Sequence, residues 1–137
     1  MQTLTVSEVE QVAYELARKL LSFKEPIPDF STRYPNVLES CLAAPFQRYK
    51  KFLYHGFYAK AAVLFYLLIK NHPFQNGNKR VAVMTLIYFL YKNKKWIEVD
   101  SREFYNFAVW VAESNPRLKD ETLLAVKKFI MTYVIGR

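Results

Sequence analysis

The sequence predicts an all-α fold, a single domain built as a helical bundle around two apolar central helices. Three observations carry that expectation. The chain has only 3 Gly in 137 residues, so glycine-dependent hairpins cannot be frequent. Apolar residues make up 52% and aromatic residues 17%, which suits a buried core and not a disordered chain. The two longest apolar runs, 61–69 and 81–91, read as buried helices. Both fall short of the roughly 18 residues that suggest a membrane span. A chain of this length holds one core.

Thr5, Val6, Ser7 and Glu8 have the form of a capping box, and Val9, Val12, Ala13, Leu16 and Leu20 follow at helical spacing. That helix should stop before Pro26. Pro26, Pro28 and Pro35 make 25–35 a loop. Residues 36–43 form a short helix ended by Pro45. Residues 45–55 mix aromatic and basic side chains without a clear period, and read as an exposed loop or a small hairpin. Helices are expected over 57–70 and 78–92, joined by a tight loop at 71–77. Both are apolar nearly all round, so other helices should enclose them, with Met84 in the core. Residues 96–99 are a short extended piece. Asp100 to Glu103 can cap a helix carrying Phe104, Phe107, Ala108 and Val111, which Pro116 ends. A last helix over 120–134 turns Leu123, Val126, Ile130 and Tyr133 or Val134 inward.

The net charge is +8, and its layout says more than its size. No Asp or Glu lies between Glu39 and Glu98, a stretch that holds Arg48, Lys50, Lys51, Lys60, Lys70, Lys79, Arg80, Lys92, Lys94 and Lys95. That middle region favours an anionic partner: a nucleotide, a nucleic acid backbone or an acidic protein. Lys50, Lys51, Lys92, Lys94 and Lys95 are expected to be solvated lysines. The basic residues form no stripe and no nucleic-acid-reading motif is present, so a nucleic acid is the least favoured of the three. The lone Cys41 excludes an intramolecular disulfide and a cysteine zinc site, and reads as a small core residue in a reducing compartment. The first eight residues lack the basic and apolar regions of a signal peptide, which makes the cytoplasm the expected location.

The chemistry concentrates in the loop between the two central helices: His72, Pro73, Phe74, Gln75, Asn76, Gly77, Asn78, Lys79, Arg80. Gly77 lets the backbone turn and approach a ligand closely. Asn78 and the amides after it open a helix, where free N–H groups and the dipole attract an anion. Arg80 can fork onto phosphate oxygens, and Lys79 adds a compact positive charge. His72 can remove a proton near neutral pH. Phe74 would pin the loop to the core. A base beside an oxyanion cradle suits phosphoryl or nucleotidyl transfer to a hydroxyl. His55 has no such surroundings and reads as a surface or capping residue.

This stretch resembles the Fic/Doc family, whose motif has the form H-x-F-x-[D/E]-[G/A]-N-[G/K]-R. With Lys79 rather than glycine before Arg80, and Val83 in place of a second arginine, it looks most like the Doc (death-on-curing) branch. The resemblance extends over residues 3–130, through Val37 to Ser40, Tyr58 to Ala62, Leu67 to Asn71 and Phe89 to Asn93. It implies that His72 deprotonates a target hydroxyl. It implies that Gly77, Asn78, Lys79 and Arg80 hold the phosphates of ATP. In the Fic branch the group transferred is AMP. In the Doc branch it is the γ-phosphate, the target is the translation factor EF-Tu, and a small antitoxin protein neutralises the enzyme.

Phe46, Arg48, Tyr49, Lys50 and Lys51 match the family's flap, which docks the target protein as an added strand. The chain has no Glu-Gly or Glu-Asn pair, so the inhibitory helix of some Fic proteins is missing and restraint would come from another chain. One position departs from the pattern. Asn76 stands where the family carries the acidic residue that holds Mg²⁺, and a neutral amide oxygen should hold the ion more weakly. Three readings therefore stay open: phosphate transfer of the Doc type, AMP transfer, and a domain that binds nucleotide or partner without turnover.

Overall fold

The computed structural model describes residues 1–20, 27–49, 51–52 and 55–136. Among them, six helices and two two-stranded sheets follow in order. The first helix, α1, runs in three consecutive pieces: Val6–Glu8, a π-helical Val9–Tyr14, and Glu15–Leu20. Its start is the expected capping box. Glu8 N donates to Thr5 Oγ1 at 3.1 Å, and Thr5 N donates to Glu8 Oε1 at 3.0 Å. The π turn is a departure from the regular helix that the spacing suggests. Its wider turn brings Ala13 and Tyr14 inward together with Val9 and Ala17, and leaves Val12 half-buried and Leu16 exposed.

Helix α2 spans Pro35–Ala43, one residue earlier than expected, because proline suits the first turn. A 3₁₀ turn at Phe30–Thr32 precedes it, inside the stretch expected to be loop. The region after it forms the small hairpin: β1 (Arg48–Tyr49) pairs antiparallel with β2 (Lys51–Phe52). Helices α3 (Phe57–Lys70) and α4 (Asn78–Lys92) have the expected bounds. Helix α5 spans Ser101–Glu113 and α6 Lys119–Tyr133. Helix α3 is central, packed on α2, α4, α5 and α6, while α4 lies across the π turn of α1. A ladder of rings holds α3, α5 and α6 together: Phe107 stacks on Phe129 at 4.1 Å and on Phe65 at 6.3 Å.

Two sequence expectations are corrected. Helix α6 ends at Tyr133, and Val134 opens β4 (Val134–Gly136), which pairs antiparallel with β3 (Lys95–Ile97). The extended piece near Trp96 thus has a partner about 40 residues away, which no local pattern reveals. Helix α4 is also not enclosed all round. Met84, Ile87, Tyr88 and Tyr91 share one face and, with Val12, Leu16 and Trp96, line an apolar hollow of about 240 Å³. Among the described residues no helix is long and apolar enough to cross a membrane.

Candidate functional site

The loop between α3 and α4 is short and crosses the end of two buried helices, so its geometry is set by what it can pair with. Phe74 is buried and supplies the anchor, packing on Tyr14 at 5.3 Å and Phe30 at 5.8 Å. The π turn of α1 is what turns Tyr14 toward it. Pro73 O accepts a hydrogen bond from Tyr34 N at 2.8 Å, which ties the loop to the start of α2. Gly77 takes φ +77°. A Cβ there would lie 2.7 Å from Ile27 Cγ1, so both conformation and space require glycine.

Asn78 opens α4 and is buried. Its Nδ2 donates to Phe74 O at 2.9 Å, and its Oδ1 accepts from Phe74 N at 2.9 Å. The carboxamide therefore clasps the loop from inside. The same Nδ2 lies 3.4 Å from His72 Nδ1. His72 is exposed at the mouth of the loop with φ +50°, a left-handed conformation that a non-glycine residue adopts at a cost. Backbone strain is thus held at the residue whose chemistry the sequence singles out.

The predicted residues separate into two groups. His72, Phe74, Asn76, Gly77, Asn78, Lys79 and Arg80 come together in one loop and the first turn of α4. The amides of Asn78 and Lys79 sit where a helix has no intrahelical acceptor, next to the positive end of the dipole. Lys79 is partly exposed, whereas Arg80 is only 4% exposed. These residues fit a phosphate group, with backbone amides and Lys79 as its accessible donors. Asn78 can contribute its amide, because its side chain is committed to Phe74.

The flap residues form the second group. Phe46 packs on Phe89 at 6.1 Å. By helical rise, Phe89 is roughly 16 Å along α4 from Asn78, so the hairpin is rooted near the end of α4 opposite the loop. Arg48, Tyr49 and Lys51 lie in its strands, and Lys50 falls outside the described residues.

The donor set does not fit a resident Mg²⁺. Asn76 Oδ1 accepts a hydrogen bond from Gly77 N at 2.9 Å, which occupies one lone pair of a neutral ligand. The chain has no carboxylate between Glu39 and Glu98. Among the described residues no group of His, Cys, Asp or Glu comes together to hold a metal ion.

Sequence reasoning missed one part of the surroundings. Asn36, Val37 and Ser40 of α2, with Asn71 at the end of α3, line an open hollow of about 370 Å³ at the His72 end of the loop. Val37 and Ser40 carry the family resemblance of α2, but nothing in their spacing tells that α2 lies against this loop. The Cys41 thiol, on the same helix, is buried and donates to Leu67 O at 3.5 Å. Burial pushes it up to about 11, so it is a packing residue and not a nucleophile.

A model of the Fic/DOC family matches residues 3–90 of the chain. No curated protein and no solved structure matches it.

Proposed function

Because the chain belongs to the Fic/DOC family, we propose that it transfers the γ-phosphate of ATP to a hydroxyl of a protein target, as the Doc branch does. Family membership supports transfer of a nucleotide-derived group to proteins in general. The observation that supports a transfer site is the placement of the exposed His72 imidazole 3.4 Å from the side chain of Asn78, the residue whose amide opens α4. A proton acceptor and an anion-binding helix start therefore meet at one place. Lys79 favours the Doc reaction over AMP transfer, since it adds bulk and charge where glycine would leave room for a further phosphate.

In the step, the target hydroxyl gives its proton to His72 as its oxygen bonds to the γ-phosphorus. The bond from that phosphorus to the β–γ bridging oxygen breaks, and ADP leaves with the electron pair. The helix-start amides and Lys79 neutralise the charge that develops on the phosphoryl oxygens. By the same resemblance, the target is a translation factor such as EF-Tu, met in the cytoplasm. The regulator is a small acidic antitoxin, which the chain's net charge of +8 would attract.

The test incubates the protein or His72→Ala with a bacterial lysate and ATP labelled at the γ- or the α-phosphate. A protein band that requires the γ label and His72 is the expected result. A band from the α label would establish AMP transfer, and no band with either label would favour binding without turnover.

A further inference from the structure

We infer that Asn78 is a positioning residue for His72: its carboxamide holds the neutral imidazole as the Nε2–H tautomer, with the ring's lone pair on Nδ1. The argument rests on which way the Asn78 amide points. Its two bonds to Phe74 settle that, because the Phe74 N–H can only meet an oxygen and the Phe74 carbonyl can only meet an NH₂ group, each at 2.9 Å. The atom facing His72 Nδ1 at 3.4 Å is therefore the NH₂ nitrogen, which donates and cannot accept. An N–H on Nδ1 would point at that donor and be repelled. A lone pair on Nδ1 is attracted to it, and the ring proton is left on Nε2.

The arrangement is opposite in sense to one in which an acceptor behind the ring holds Nδ1–H and frees Nε2 as the base. Here the proton acceptor is Nδ1, on the side of the ring that faces the start of α4, and Nε2–H is a donor on the other side. The 3.4 Å separation is long for a hydrogen bond. The contact sets the tautomer at rest and is given up at little cost when Nδ1 takes a proton. His72 meets Asn78 from a left-handed backbone conformation, φ +50°. The catalytic consequence rests on the proton-accepting role proposed above. The tautomer itself does not.

The test reads the tautomer directly. Protein carrying ¹⁵N-histidine has only two imidazoles, His55 and His72, and the His72→Ala spectrum assigns them. Two-bond ¹⁵N–¹H correlations are recorded at about pH 8, above the ordinary imidazole range. In the wild type, Nε2 should carry the proton and Nδ1 should show the shift of a bare ring nitrogen. In Asn78→Asp a carboxylate, which only accepts, replaces the donor, and the proton should move to Nδ1. A wild-type ring protonated on Nδ1 would overturn the inference, as would an Asn78→Asp ring with the wild-type tautomer. Should that variant fail to fold, His55 is the reference: a free ring already favours Nε2–H, so a wild-type His72 no more biased to that tautomer than the exposed His55 would overturn the inference. The measurement reads no transfer, so a protein that labels nothing from ATP leaves this inference standing or falling by itself.

Discussion

The residues of the loop divide between those left open to solvent, such as His72, and those that hold its shape. Asn78 is mostly a clasp, since both ends of its carboxamide are used on Phe74. Gly77 is required twice over, by its φ of +77° and by Ile27 beneath it. Gly77→Ala should therefore destabilise the protein by about 2 kcal/mol or more, from left-handed strain together with overpacking. In an Ile27→Ala background the same substitution should cost only about 1 kcal/mol, the strain alone, because the overlapping Ile27 atoms are gone. Denaturant unfolding of the four proteins checks both values. Equal costs in the two backgrounds would mean that Ile27 is not what limits position 77.

Among elements, the least regular one supports the site. The π turn of α1 puts Tyr14 under Phe74, and the head of the same helix is fastened to the far end of α4. Lys92 Nζ donates to Glu8 Oε2 at 2.6 Å and to Thr3 O at 2.8 Å, and Tyr88 Oη donates to Glu8 Oε2 at 3.2 Å. Burial alone would push the Glu8 carboxyl up. The Lys92 hydrogen bond, the Thr5 amide and the Lys92 charge together outweigh it and hold the group below its ordinary value of 4.5. A depressed folded-state value means stability that is present above pH 4.5 and lost as pH falls through the folded value. Glu8→Gln should accordingly be less stable than wild type near pH 7, and the difference should shrink as pH falls below 4.5, both read by urea midpoint. A constant difference across that range would show that the ion pair contributes nothing to the pH dependence.

Across the whole molecule, the basic middle of the chain is less available than its charge suggests. Lys60 and Arg80 are buried. Lys70 Nζ donates to Ala112 O and Ser114 O, at the C-terminal end of α5 where a cation is favoured. Lys92, expected to be solvated, is bound to Glu8, and Lys95 lies over the Phe57 ring at 5.0 Å. Lys79 is the accessible cation of the loop's Lys-Arg pair. The loop and the two helices it joins carry no carboxylate, and among the described residues no group of His, Cys, Asp or Glu comes together to hold a metal ion. ATP affinity measured by calorimetry should change less than about twofold between Mg²⁺ and EDTA, and Asn76→Asp should make it metal-dependent. A wild-type affinity that collapses in EDTA would place a metal ligand outside this loop.

The amino-acid sequence by itself determined the helical class, the bounds of α3 and α4, the capping box at Thr5 and the residues of the loop. These depend on neighbours within a turn or two, where periodicity, prolines and cap residues act directly. Other features depended on contacts between distant residues. The π turn sets Tyr14 against Phe30 and Phe74, which lie well beyond its own turn of chain. Strand β3 exists because residues 134–136 return beside it. The hairpin was legible as a mixed aromatic and basic stretch, but its root on Phe89 was not. The same limit applies within the loop. Composition offers His72 and Asn78 as a base and a phosphate ligand. The folded chain assigns the Asn78 side chain to Phe74 and His72, because a buried amide must satisfy its donors and acceptor where the backbone places them.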